Sequence, residues 1–246
     1  MGKSTTVTLL SKKLRMLGYS VSEHFEGDSD SPLDLCWTAY LTKKEYDNIL
    51  VLYPAFADKL SENIIYQGEY ILLRYQVGRK GLYSPELNRE LHKKEFCYNP
   101  TNNVPLSKFT EVFLSLWKRY VNSDEIKYDY AIFDASLSHI TNDLMRNYNS
   151  SKDEITEHLE MLLETIRLLD PVIFYLSSEN VSGRLKKARQ SRKQTPLSND
   201  QISFWKKRKN IDMSILPRLL LNSYIMDISN ENWDLVISEI VLLLTT

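Results

Sequence analysis

The first residues of the chain form a pattern that could bind a phosphate group. Gly2-Lys3-Ser4-Thr5 opens a predicted helix over residues 3–17 and matches the second half of the phosphate-binding motif G-x-x-x-x-G-K-[ST]. A helix N-terminus offers unpaired backbone N–H groups and a partial positive charge to a phosphate. Lys3 would reach the terminal phosphates, and the Ser4 hydroxyl would ligate Mg²⁺. An ordinary helix capped by Ser4 would show the same four residues.

A second candidate lies at the end of an apolar run. Residues 128–135 are predicted to form a strand, and Ile132-Phe133-Asp134 closes it with a carboxylate. An acid in this position can hold a metal ion directly or through water. Ser4 and Asp134 are therefore the expected metal ligands. The alternative is that Asp134 only caps the helix that follows.

The third candidate is a basic segment in a chain that is otherwise acidic. Only one acid, Asp200, interrupts it, and this favours a localised anionic ligand over a broad nucleic-acid surface. The alternative is a solvated helix face. The basic residues of the segment are Arg184, Lys186, Lys187, Arg189, Arg192, Lys193, Lys206, Lys207, Arg208 and Lys209.

Helices and short apolar runs alternate along the whole chain. Apolar strands separated by helices are typical of a parallel sheet between helical layers, so an α/β fold is expected. Residues 70–76 are compatible with a strand or a buried helix. Strands are predicted at 21–26, 128–135, 172–176 and 224–228, and helices at 3–17, 42–65 (interrupted near Pro54), 106–122, 151–170, from about 179, from about 198, and at 231–244.

Composition excludes several classes of protein. The 246 residues are 43% hydrophobic and 26% charged with a net charge of −1, as in an ordinary globular protein. The longest apolar runs are far shorter than the ~20 residues that span a bilayer. Two distant cysteines, Cys36 and Cys97, and four histidines show no metal-ligand spacing. A reduced, cytoplasmic protein without a membrane segment is expected.

The order of these features resembles P-loop kinases of the thymidylate kinase and deoxynucleoside kinase type, and a group of bacterial P-loop proteins. The resemblance is carried by residues 2–6, by Phe25-Glu26-Gly27-Asp28-Ser29-Asp30-Ser31-Pro32, and by residues 171–179 leading into the basic helix. It implies a P-loop nucleoside triphosphate hydrolase fold that binds ATP and Mg²⁺ and transfers a phosphoryl group to a small hydroxyl compound or a nucleotide. One domain over residues 1–246 is expected, with a helical insertion at about 40–125 and a basic lid at about 179–210.

The resemblance also implies roles for single residues. Glu26 matches the acid that acts as a base toward the substrate hydroxyl, and Asp28 is the second candidate; a turn role in Glu-Gly-Asp is the alternative. In the lid, Arg184 and Arg192 are expected to stabilise transition-state charge, and Lys187 and Arg189 to bind the cofactor beside Gly2, Lys3, Ser4 and Thr5.

Two departures from the family are visible. Asp134-Ala135-Ser136 replaces the family's Asp-Arg pair, which puts the usual Arg contact in doubt. A complete motif also needs a glycine, four more residues and a strand before Gly2. Without that strand, the strands at 128–135 and 172–176 would lie two spacings apart, about 9.6 Å.

Two interpretations of the incomplete motif are open. The sequence is a truncated form, or it is a degenerate member that no longer cradles phosphates. In either case, we expect these 246 residues alone to bind ATP poorly.

Other functions remain open beside the kinase. The first is a non-catalytic nucleotide-binding or regulatory protein on the same fold. The second, a nucleic-acid binder through residues 184–209, is disfavoured by the acidic remainder of the chain. The sequence leaves open whether the protein forms a homodimer. Arg74, Tyr75 and Trp37 are expected either to hold a planar substrate or to pack in the core.

Overall fold

Helices and short strands alternate through the described part of the computed structural model, residues 2–28, 31–78, 80–98, 104–123 and 126–245. The helices are α1 (Lys3–Met16), α2 (Lys43–Leu52), α3 (Ala57–Glu62), α4 (Pro85–His92), α5 (Leu106–Val121), α6 (Ser136–Arg146), α7 (Lys152–Thr165), α8 (Val181–Ser191), α9 (Asn199–Ile215) and α10 (Trp233–Thr245). The strands are β1 (Val21–His24), β2 (Thr38–Thr42), β3 (Ile64–Gln67), β4 (Tyr70–Arg74), β5 (Gln76–Val77), β6 (Lys80–Gly81), β7 (Tyr130–Phe133), β8 (Val172–Ser177) and β9 (Asn222–Asp227).

The chain divides into two compact units. The first contains Met1–Glu23, Val121–Ala135 and Ser151–Thr246, and the second contains His24–Tyr120 and Ser136–Ser150. The second unit therefore holds most of the predicted insertion together with the residues that flank it. None of the helices among the described residues is long and apolar enough to cross a bilayer.

The first unit contains two small sheets where one larger sheet was predicted. β8 and β9 are parallel, paired from Val172 opposite Asn222 to Ser177 opposite Asp227. β1 pairs with β7, and no ladder joins β7 to β8 among the described residues. The α/β class with parallel strands is therefore present, but the continuous parallel sheet is absent from the described chain.

Helices α1 and α10 pack together and cover strands from both small sheets. Leu10 and Leu14 of α1, with Ile240 of α10, are at most 4% exposed. Ile132 of β7 and Phe174 of β8 pack against this same cluster but are only partly buried. All six residues of β8 are half-buried, although the sequence predicts strands buried on both faces. Each strand has one ladder neighbour in the described chain, so its other edge lacks the close packing of a sheet interior.

The second unit contains β-strands where the sequence predicted a helical insertion. Its core includes a three-stranded antiparallel sheet in the order β2, β4, β3, and β5 and β6 form a short hairpin. Residues 70–76, which the sequence left open, form β4 and β5. The centre of β4 is completely buried, and a continuous apolar run of this length has no periodicity that separates a buried strand from a buried helix.

Several helix boundaries follow directly from local sequence. The predicted capping box of α7 is present, because the Ser151 hydroxyl accepts from the Glu154 N–H at 3.3 Å and the Glu154 carboxylate accepts from the Ser151 N–H at 2.7 Å. The interruption near Pro54 is a short 3₁₀ turn between α2 and α3. These signals are local, so they could be found without knowing the tertiary structure.

Candidate functional site

Gly2 fixes the beginning of α1 in a conformation that suits glycine. Its φ is 88°, in the left-handed region, and its carbonyl accepts from the Thr6 N–H at 2.8 Å. A Cβ atom placed on Gly2 would lie 2.2 Å from the Trp233 ring. Backbone conformation and the indole therefore both require a residue without a side chain at this position.

The predicted metal ligands are brought together, although 130 positions separate them. The Ser4 hydroxyl donates to Oδ2 of Asp134 at 2.6 Å. The Lys3 ammonium lies 3.7 Å from Oδ1 of the same carboxylate. Asp134 directly follows β7 and is 5% exposed, so the strand end places a nearly buried acid at the N-terminus of α1.

The donor set at this point fits a hard divalent cation. Oδ1 of Asp134 is buried and accepts no hydrogen bond from the described residues. A carboxylate and a hydroxyl supply oxygen ligands, which Mg²⁺ prefers, and Mg²⁺ commonly takes its other ligands from water and phosphate. The described residues contain no cluster of three or more His, Cys, Asp or Glu side chains that could hold a metal without such help. Ser4 and Asp134 supply two oxygen ligands, so a divalent cation here would need its remaining ligands from water or a bound molecule.

A cavity of about 410 Å³ opens where β8 and β9 end. Its walls come from the segment after β8, the first two turns of α8 and the segment after β9. The Asn180 side chain caps α8 by accepting from the Gly183 N–H at 2.8 Å. Ligands of open α/β sheets bind outside the carboxyl ends of parallel strands, so this cavity is in the expected place for a binding site.

Two of the predicted lid cations line this cavity. The Arg184 guanidinium donates to the Ile228 carbonyl at 2.7 Å and lies 3.6 Å from the Glu231 carboxylate. The Lys187 ammonium donates to both oxygens of Glu231 at 2.9 Å. The hydrogen bond and positive charge of Lys187 lower the pKa of Glu231. The sequence analysis missed Glu231, because its role depends on a loop and on no local pattern.

The other two lid cations do not line the cavity. Arg189 donates to the Thr195 carbonyl at 2.8 Å and to the Gln194 side chain at 3.2 Å, so it closes the turn after α8. Arg192 is exposed at the end of α8. Arg184 and Lys187 are three positions apart and share a helix face, whereas Arg189 lies five positions after Arg184 and points elsewhere.

The two candidate bases belong to the second unit. Oε1 of Glu26 lies 3.5 Å from Nε2 of His139, a histidine that the sequence did not connect with any site. Asp28 accepts from the Phe25 N–H at 3.2 Å through its side chain, which is the turn role weighed for this segment. Ser29 and Asp30, part of the same motif, lie outside the described residues.

Arg74 and Tyr75 make structural contacts. The Arg74 guanidinium donates to the backbone carbonyls of Asp28 and Asp34 at 2.8 and 3.1 Å. Tyr75 is 2% exposed, and its hydroxyl donates to Glu95 at 2.6 Å. These contacts favour the packing role over the recognition of a planar substrate.

Two buried acids in the second unit were not found from the sequence. Burial raises the pKa of Glu95, although its carboxylate accepts from the Tyr75 hydroxyl and the Trp37 N–H. Burial also raises the pKa of Asp143 to about 7. Asp143 accepts from the Tyr98 N–H at 2.8 Å, so its place in the core is fixed by the backbone.

The chain was compared with protein-family models, with curated proteins and with solved structures, and none of them matches it.

Proposed function

We propose that the protein binds a magnesium nucleoside triphosphate, ATP, at the N-terminus of α1 and transfers its terminal phosphoryl group to a small hydroxyl compound or a nucleotide. The contact of the Ser4 hydroxyl with Asp134 carries this proposal. A helix that is merely capped by a serine does not need a buried strand-end acid beside that serine. A site for phosphate and Mg²⁺ needs both groups, with a lysine next to them.

Each residue of the first unit then has a role that follows from its position. Gly2 leaves the first N–H groups of α1 open to an anion, and Lys3, 39% exposed at its side chain, offsets phosphate charge. Ser4 and Asp134 would hold Mg²⁺, which neutralises charge on the phosphates when it is bound. Arg184 and Lys187 would stabilise charge on the transferred group. For Glu26, which belongs to the second unit, the proposal rests on the family resemblance: Glu26 would orient the acceptor hydroxyl and take its proton.

Calorimetric titration with ATP, with and without Mg²⁺, tests the binding step. We expect weak binding that depends on Mg²⁺, in line with the incomplete phosphate motif. Lys3→Ala and Asp134→Asn should each weaken it further, at least about tenfold, because each removes a charge-assisted contact. Lys12→Ala removes the same charge from an exposed position of α1 and serves as the control. Binding that is equal in all four proteins, or no binding at all, would contradict the proposal.

A non-catalytic nucleotide-binding protein is the second candidate. It is favoured by the positions of Arg189 and Arg192, which leave only two of the four predicted lid cations at the cavity. Phosphorus NMR of ATP with a panel of nucleosides and nucleoside monophosphates separates the two functions. Phosphoryl transfer that Glu26→Gln abolishes supports the kinase, and binding without any transfer supports the second candidate.

A further inference from the structure

The Glu231 carboxylate occupies the side of the cavity where two cations meet. Lys187 contacts both of its oxygens at 2.9 Å, and Arg184 approaches one of them at 3.6 Å. The side chain of Arg184 is only 13% exposed, whereas those of Lys187 and Glu231 are 70% and 43% exposed. The cavity therefore has a fixed inner cation and an outer ion pair that solvent reaches.

The outer ion pair is the contact that a ligand can replace most easily. Exposed ion pairs are weak because water solvates both charges when they separate. A phosphate group carries more charge than a carboxylate and offers more oxygens to the same donors. Arg184 would keep its place during this exchange, since it also donates to the Ile228 carbonyl at 2.7 Å.

The backbone holds Glu231 at the cavity while leaving its side chain able to turn away. Glu231 has φ of 53°, and its N–H donates to the Ile228 carbonyl at 3.2 Å. Its own carbonyl accepts from the Trp233 N–H at 3.0 Å. The turn between β9 and α10 is thus closed by backbone contacts, so the carboxylate is free to leave Lys187 without opening the turn.

We propose that Glu231 takes the place of the anionic group of the ligand: its carboxylate holds Lys187 at the cavity wall and releases this cation when a ligand phosphate arrives. The choice of a phosphate rests on the proposed function. A neutral ligand leaves the pair of Lys187 and Glu231 intact and gains nothing from the two cations. The cavity would therefore select ligands that carry a phosphate over neutral analogues.

Titration with inorganic pyrophosphate in the absence of Mg²⁺ tests this proposal on the full chain. We expect Glu231→Gln to bind pyrophosphate about two- to fivefold more tightly than the unmodified protein, the range that loss of an exposed competing ion pair allows. The matched control is Glu179→Gln, which lines the same cavity at an exposed position. Its carboxylate pairs with neither Arg184 nor Lys187 in the described structure, so a smaller gain is expected.

Three outcomes would overturn the proposal. These are equal gains in Glu231→Gln and Glu179→Gln, no pyrophosphate binding by any variant, and a gain from Glu231→Gln that persists when Lys187 is replaced by Ala. The titrations are repeated with Lys3→Ala, in which the gain from Glu231→Gln should remain. The Lys3→Ala titrations thereby distinguish a failure of ATP binding at α1 from a failure of the exchange at Glu231.

Discussion

Gly2 meets two requirements that can be separated by substitution. Its backbone is left-handed, and the Trp233 indole fills the space where a Cβ would lie. Gly18 also has a left-handed φ of 95°, but no atom lies within 4 Å of its Cβ position. The two glycines thus share the conformational constraint and differ in the steric one.

We expect Gly2→Ala to lower the free energy of unfolding more than Gly18→Ala does. An alanine in a left-handed conformation costs about 1 kcal/mol, and at Gly2 the displacement of the indole adds to this cost. Urea unfolding of both variants measures the difference. Equal losses would show that the Trp233 ring moves aside without cost.

Asp143 makes stability depend on pH in an unusual direction for an acid. Burial raises its pKa in the folded protein to about 7, above the unfolded value near 3.8. Between pH 3.8 and about 7, the folded state binds the Asp143 proton more tightly than the unfolded state does. The stabilisation from this proton is therefore complete below about pH 4 and is lost as the pH rises through 7.

Asp143→Asn should therefore flatten the stability profile between pH 4 and 7. We expect the unfolding free energy of the unmodified protein, minus that of the variant, to fall across this interval. The change should amount to about 1 kcal/mol or more, since one unit of pKa shift corresponds to about 1.4 kcal/mol. Urea titrations at several pH values measure it, with Asp47→Asn, an exposed acid of the same unit, as the control. A difference that does not change with pH would mean that Asp143 titrates normally.

At the scale of a single element, α7 offers the clearest test of a local signal. Both halves of its capping box are formed, between Ser151 and Glu154. Ser151→Ala leaves N–H groups of the first turn without their side-chain acceptor, and we expect a loss of about 1 kcal/mol in unfolding free energy. Ser151→Asn keeps an acceptor at the cap and should restore most of that loss. Equal melting temperatures for the two variants would contradict this role.

The elements that the sequence predicted best are those with local signals at their ends. α1 begins directly after Gly2, α7 directly after Ser151 and β8 directly after Pro171, each within one residue of the predicted start. The end of α7 was predicted less well, because the helix ends at Thr165 and not at 170. β2, β3 and α4 were not predicted, and α6 was expected only in the alternative that Asp134 caps a following helix. β3 and β4 form a hairpin with a two-residue turn at Gly68 and Glu69, a local signal that the sequence analysis missed. The pairing of β4 with β2 joins distant residues, and periodicity does not contain it.

Some residues of the candidate site could also be found from the sequence, and others could not. The contact of Ser4 with Asp134 could be anticipated, because the sequence analysis expected both residues to ligate the same metal ion. Glu231 was not predictable, because a positive φ in a loop brings it to Lys187. Of the four cations expected to bind the ligand from the basic helix, only Arg184 and Lys187 line the cavity. A run of basic residues in a sequence does not by itself show which side chains share a helix face.

At the scale of the whole molecule, the chain passes between its two units several times. Residues 24–120 and 136–150 form the second unit, and the strand β7 with Asp134 lies between these two stretches in the first. The sequence predicted one domain with an insertion at about 40–125, a boundary that came from the order of the predicted elements and the family resemblance. Neither could assign α6 to the second unit, because α6 follows β7 directly and carries no signal of a new unit.

The packing of α1 against α10 has a consequence for synthesis. Leu10 and Leu14 are buried with Ile237 and Ile240, so α1 shares its core with a helix that the ribosome makes much later. A nascent chain that stops before residue 233 has no α10 to cover those leucines. The second unit, by contrast, has all of its residues once position 150 has emerged. The order of translation therefore allows the second unit to fold before α10 has been made, whereas the apolar face of α1 is covered only once α10 has been synthesised.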